Sequence, residues 1–272
     1  MGCGVALSLR NLFADMKKNL WELVWFRAYA DLKSEASRTY VGILWWIIDP
    51  IMQMGIFYLV FGVGLRGTGR TENFVQFLLI GIIIWRWFAT SVNFSSGAIM
   101  QNRNLVLRLD IDKWVFPATL IAGNAFKFLI AYAVLIGFLM YSGMPLTWHY
   151  LQLPMILLVQ LSLICGVAFV LAALVPLLPD LKNVISHLLQ LTFFLSGIFY
   201  EVEDMPEKFQ WIFEINPMVH VIQAYRAVML EGQSPDWVPL MVIFGVGLLL
   251  IWAGSALMRL LNVVYAKALQ AV

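Results

Sequence analysis

The sequence is short of charge. Only 12% of its 272 residues are Asp, Glu, Lys or Arg, while 61% are hydrophobic. A soluble domain carries about 25% charged and about 45–50% apolar residues. A larger core cannot absorb that gap, because a domain of this size still needs a charged surface. The 18 basic and 16 acidic residues leave a net charge of +2, which excludes the basic face that nucleic acid requires. Cysteine is scarce: Cys3 and Cys165 stand far apart, with neither metal nor disulfide spacing. His149, His187 and His220 also lack ligand spacing, and no nucleophile–base pair stands out. There is no G-x-x-x-x-G-K-[ST] run, so no phosphate loop of that kind binds ATP. Gly62-Val63-Gly64-Leu65-Arg66-Gly67 matches G-x-G-x-x-G but ends an apolar run with no strand before it, and so carries no dinucleotide reading. At the N-terminus, Met1-Gly2-Cys3 resembles an acylation start, yet Ala6 stands where myristoylation needs Ser or Thr. A cleaved signal peptide is not expected either, since no basic segment precedes an apolar stretch with a small-residue cleavage site.

Long apolar runs are abundant. A helix needs about 20 mostly apolar residues to cross a bilayer. Six stretches qualify or come close: Val41–Leu65, Asn73–Gly97, Val115–Tyr141, Leu151–Leu178, Val184–Tyr200 and Val238–Met258. The runs are continuous, whereas barrel strands alternate. The expected fold class is an all-α integral membrane protein. Orientation follows from Lys and Arg. With the N-terminus inside, Arg10, Lys17, Lys18, Arg27, Lys33, Arg38, Arg103, Arg108, Lys113, Lys182, Arg259 and Lys267 fall on the inner side. Only Arg66, Arg70, Lys208 and Arg226 fall outside. That excess, roughly threefold, predicts that both termini are cytoplasmic.

Three parts do not span. Residues 1–40 are expected to form a cytoplasmic segment built on a helix over 8–38. Leu9, Leu12, Phe13, Met16, Leu20, Leu23 and Val24 repeat at three and four residues, with Trp21 and Trp25 at headgroup depth and Arg27, Lys33 and Arg38 beyond. This helix lies on the inner leaflet, either as an anchor or as a platform for a cytoplasmic partner. The six-helix domain occupies 41–272. Within it, loop 101–114 mixes Arg103 and Arg108 with Asp110 and Asp112. It is either a solvated turn or a docking knob anchored by Leu105, Val106, Leu107 and Leu109. Between spans five and six, segment 201–233 is acidic, with two short helices. Pro206 and Pro217 suit first turns, Asn216 suits an N-cap and Gly232 a C-cap. Met218, Val221, Ile222, Tyr225, Val228 and Met229 make one apolar face. Helices of 10–15 residues are too short to cross. They are read as re-entrant at the outer mouth of a pathway, or as a plain outer loop.

Charges inside spans are costly and point to function by default. Here they are Asp49, Arg86 and Lys127. No ladder of carboxylates accompanies them, and structural ion pairs are the favoured reading. Aromatics gather toward the ends of spans one, two and five: Phe57, Tyr58, Phe61, Trp85, Trp87, Phe88, Phe193, Phe194, Phe199 and Tyr200. They form either an interfacial belt or a channel lining on which the apolar faces of sugar rings stack.

The order of motifs resembles a known family. Asp31-Leu32-Lys33, then Val41-Gly42-Ile43-Leu44-Trp45, then Asp49-Pro50, and later Ser196-Gly197-Ile198-Phe199-Tyr200, Pro206, Asn216-Pro217 and Arg226 follow the membrane subunit of ABC-2-type polysaccharide exporters for O-antigen, capsule and teichoic acid. Glu35-Ala36 departs from the family's usual Arg-Tyr. The resemblance implies a homodimer in the bacterial cytoplasmic membrane, with two copies of a separate ATPase that holds ATP and magnesium. No cofactor is expected in this chain. Loop 101–114 would couple to the ATPase, the N-terminal helix would gate, and a lipid-linked polysaccharide would pass between the subunits. An exporter of a small drug or lipid is the alternative. A membrane-embedded transferase would need a reactive Asp, Glu or His cluster at the membrane face, which the sequence does not offer.

Overall fold

The computed structural model describes residues 20–38, 40–60, 73–108, 111–201, 206–262 and 264–265. The described residues form helices and no strands. In chain order these are α1 (Leu20–Ser37), α2 (Trp45–Phe57), α3 (Phe74–Ser96), α4 (Ala98–Gln101), α5 (Arg103–Arg108), α6 (Val115–Tyr141), α7 (Leu153–Leu174), α8 (Leu181–Phe194), α9 (Glu207–Glu214), α10 (Pro217–Arg226) and α11 (Trp237–Leu260). A 3₁₀ turn, Gly42–Leu44, precedes α2, another, Trp148–Gln152, precedes α7, and a π turn, Ala227–Glu231, continues α10.

Five stretches are long and apolar enough to cross a membrane: Gly42–Val60, Phe74–Ser96, Val115–Tyr141, Trp148–Leu174 and Trp237–Leu260. They match five of the expected spans. The expected fifth, Val184–Tyr200, is shorter. Helix α8 has 14 residues, about 21 Å at 1.5 Å per residue, against about 30 Å of hydrocarbon. Its end is local chemistry: Gly197 turns left-handed at φ 63°, and Ser196 Oγ folds back to donate to the Thr192 carbonyl at 2.6 Å.

Helix α3 is the axis of the fold. Leu78, Leu79, Ile80, Ile82, Ile83 and Ile84 are all buried, so consecutive residues face protein on every side, the mark of a central helix. It packs on α6, α7, α8 and α10. Helices α7 and α11 run side by side in the same direction at very close range. A Cβ on Gly247 would sit 2.6 Å from Ser162 Oγ, and one on Gly254 2.8 Å from Phe169. Small residues permit that approach, as membrane helix pairs require.

Helix α1 differs from the expectation of a helix lying across the leaflet. It lies along α6. Trp21 meets Trp114 with ring centroids 5.3 Å apart, Arg27 sits over Phe116 at 5.2 Å, and Lys127 Nζ donates to Glu35 at 2.5 and 2.7 Å. Both chains advance together, so the two helices are parallel. Val24 and Ala28 are the buried residues of α1. Trp25, Phe26 and Tyr29 are exposed, and so is Trp21 apart from its contact with Trp114. The expected residues 8–19 lie outside the described residues.

Helix α10 follows the expectation closely. Asn216 Oδ1 accepts from the Met218 amide at 3.0 Å, and Pro217 opens the first turn. All six residues of the expected apolar face are at most 2% exposed. Gly232 ends the π turn at φ 63°. Pro206 stands one position earlier than expected, at the cap of α9.

Candidate functional site

A cavity of about 440 Å³ opens between α1, α2, α3 and α6. It collects every intramembrane charge singled out in the sequence. Asp49 and Gln53 are one helical turn apart on α2, so they share a face. Arg86, from the middle of α3, donates to both: Nη2 to Asp49 Oδ2 at 2.5 Å and Nη1 to Gln53 Oε1. Lys127, from α6, pairs with Glu35 and lies 5.9 Å from the Trp46 ring. Both cations are held in ion pairs, and the partner of Lys127 is the residue that departs from the family pattern. Lys127 lies about 18 Å along α6 from Val115 at 1.5 Å per residue. The α1–α2 connection therefore reaches well along a spanning helix. Non-helical backbone at such depth is tolerated where it is buried in protein or lines water. This one borders a polar groove. Asp49 and Arg86 remain about half exposed to it.

From the groove an aromatic column leads toward α10. Trp87 stacks on Phe128 at 4.2 Å, Phe128 on Tyr132 at 5.3 Å, and Tyr132 meets Tyr225 edge-on at 6.1 Å. Tyr225 donates to Gln160 Oε1 at 3.0 Å, and Gln160 donates to the Ile84 carbonyl at 2.9 Å. Gln160 and Tyr225 are fully buried, and this chain satisfies both, which is the condition for a stable buried polar network.

Arg226 closes the end of the bundle near α10. Its Nη1 donates to the Gly197 carbonyl at 2.8 Å. Its Nη2 donates to Ile198 and Phe77 carbonyls at 3.1 Å, and its Nε to Phe77 at 3.3 Å. The guanidinium also lies 3.2 Å from the Phe77 ring centroid. Asn216 Nδ2 adds bonds to the Leu195 carbonyl at 3.0 Å and Ser196 Oγ at 2.9 Å. Thus the irregular stretch after α8 has its carbonyls taken by α10 and its cap. Burial pulls the Arg226 pKa down from its ordinary value, and the Glu201 and Glu231 carboxylates oppose that fall. A cavity of about 310 Å³ adjoins it.

At the opposite end, α4 and α5 are two short helices that make a compact knob after α3. Val106 alone anchors α5 in the core. Leu105 and Leu107, expected to help, are exposed, because successive residues of a short helix point about 100° apart. Arg103 is half-buried, while Arg108 and Asp112 are exposed. Asp110 and Leu109 lie outside the described residues. Arg27 donates to Asn102 Oδ1, which ties α1 to this knob.

The ABC-2 type transporter family model matches residues 25–230, from α1 to the end of the π turn. The chain belongs to the ABC-2 type transporter family. It is 29% identical over 229 residues to the O-antigen export system permease protein RfbA of Myxococcus xanthus, covering 84% of this chain and 87% of that one. It is 26% identical over 259 residues to the protein of the same name from Klebsiella pneumoniae, at 93% and 98% coverage. With the polysialic acid transport protein KpsM of Escherichia coli it shares 26% over 233 residues, at 84% and 89%.

In this ABC-2 fold the expected aromatics divide. Trp85, Trp87 and Phe88 are buried inside the chain, as packing residues. Phe193 packs on Trp85, Phe194 and Phe199 within 6.1 Å. Tyr58 and Phe194 are exposed, whereas Phe57, Phe199 and Tyr200 are half-buried. Phe61 lies outside the described residues. On α1, Arg27 is half-buried between Asn102 and Phe116 and Lys33 is exposed, as is Arg38 just past its end. Glu35, Gln53, Gln160 and the carbonyls held by Arg226 were not foreseen. The spacing of Asp49 and Gln53 was the one local signal for any of them.

Proposed function

We propose that this chain is the membrane subunit of an ATP-driven exporter of lipid-linked polysaccharide, O-antigen before capsule or teichoic acid. The polar groove beside α2 carries the reading. A half-exposed ion pair in the middle of spanning helices needs water or a polar solute beside it. A groove that opens between α1 and α2 lets such a group enter sideways while its lipid stays in the bilayer. The names of the relatives, O-antigen export permease and polysialic acid transport protein, favour a polymer over a small drug or lipid.

The partners follow from the mechanism. This chain supplies a path and a lever, and a separate ATPase with ATP and magnesium supplies the work. Two copies of each subunit would assemble, with both termini cytoplasmic by the Lys and Arg bias. Leu105, Leu107 and Arg108 would meet the ATPase. Tyr58 and Phe194, which point out of the protomer, would line the path between subunits. Deleting the gene from a bacterium that carries it tests the reading. Surface polysaccharide should vanish while lipid-linked polymer accumulates inside the cell. Unchanged surface polymer, with increased sensitivity to small drugs, would overturn it.

A further inference from the structure

We propose that the cavity beneath α10 is a subsite for one uncharged sugar of the exported polymer, and that the acidic mouth around it excludes polyanionic polymers. The inference rests on the polysaccharide reading and on the orientation given above.

The cavity has a volume of about 310 Å³ and is lined by Tyr200, Glu201, Gln223, Arg226 and Glu231 among others. That size suits a compact ligand at the small end of known pockets. Its chemistry suits a sugar. Carboxylates and an amide oxygen accept from hydroxyls, and amide and guanidinium N–H groups donate to them. The flat side of Tyr200, half-buried, offers an apolar face to ring C–H groups.

Arg226 sharpens the assignment. It has five N–H donors. Nε, one N–H of Nη1 and both of Nη2 go to the Phe77, Gly197 and Ile198 carbonyls. One Nη1 donor remains, on a side chain 5% exposed at the cavity wall. No ion pair joins Arg226 to Glu201 or Glu231 among the described residues. A buried donor without an acceptor is costly, and a sugar hydroxyl would satisfy it.

The charge argues against an anionic ligand. The Arg226 cation is already engaged by carbonyls, while Glu201 and Glu231 face the cavity. In the sequence alone, segment 201–236 also holds Glu203, Asp204, Glu207, Glu214 and Asp236, with Lys208 as the other base. A polymer with a carboxylate on every sugar would meet like charge at each step, and like-charge juxtaposition is an effective means of rejecting a wrong partner.

The test uses the permease–ATPase complex in nanodiscs and two probes of equal length. One is a neutral glucose heptamer; the other is a sialic acid heptamer. Saturation-transfer NMR at low salt should report binding of the neutral probe, at least about tenfold tighter than the anionic one. Glu201→Gln/Glu231→Gln should narrow that gap, and Arg226 stays in place so the closure is kept. Equal or tighter binding of the sialic acid probe to the wild type would overturn the inference, as would a gap unchanged in the double variant. Export of the native polymer, measured in parallel on the cell surface, reads the underlying function separately. Normal export with no probe preference sinks the subsite and leaves the exporter reading standing.

Discussion

Arg226 and Asp49 illustrate how differently two charged residues of one chain are used. Arg226 is enclosed and spends its donors on three carbonyls. Arg226→Ala would leave those acceptors unpaired, and each unsatisfied buried group costs about 1–3 kcal/mol. Thermal unfolding of the detergent-purified protein should show a loss of about 3 kcal/mol or more. Arg226→Lys should recover less than half, because an ammonium lacks the planar fork. Asp49 and Arg86 are half exposed, so their pair is screened. Asp49→Ala should cost only about 1 kcal/mol, and Asp49→Ala/Arg86→Ala should cost no more than the single change. A strongly additive double variant would mean that the two act independently. The sequence marked Asp49, Arg86 and Lys127 as exceptional because charge is rare in spans. It could not mark Glu35, which sits in a charged segment and meets Lys127 across 92 positions.

At the scale of the element, composition was sufficient where one helix crosses alone. Five spans were legible from length and hydropathy, and α10 from its cap, its apolar stripe and Gly232. Three features were not. Helix α8 reads as a full span because Ile198, Phe199 and Tyr200 continue the apolar run, yet the Ser196-Gly197 turn stops it. The direction of α1 was hidden because an amphipathic period gives a buried face without naming what covers it. The α7–α11 pair also escaped notice. Its glycines look like any others until the opposing backbone is placed 2.7–2.8 Å from a notional Cβ. Gly247→Leu should therefore separate the two helices and cost about 1–3 kcal/mol. Gly245→Leu, on the same helix with nothing within 4 Å, should be neutral. The same unfolding assay separates them, and equal losses would refute close packing as the cause.

For the whole molecule the proposed function asks how a push on α4 and α5 would reach the groove. The contacts suggest a route. Helix α5 carries exposed Leu105 and Arg108 beside buried Val106. Asn102, one residue before it, holds Arg27 of α1. Helix α1 is stiff over Leu20–Ser37 and meets the groove through Glu35 and Lys127. A push on the knob would tilt α1 against α6 and act on the groove's edge. Contact alone is not coupling, so the two ends need separate tests. Leu105→Asp/Arg108→Glu should abolish co-purification of the ATPase, since it replaces an apolar and a cationic contact with like-signed charge. Arg27→Ala should leave the ATPase bound and hydrolysing, while the amount of polymer exported per ATP falls about tenfold or more, the range of typical coupling energies. If Arg27→Ala lowers hydrolysis and export in equal proportion, the loss lies at the ATPase contact. Helix α1 would then be an anchor, as its amphipathic pattern equally allows.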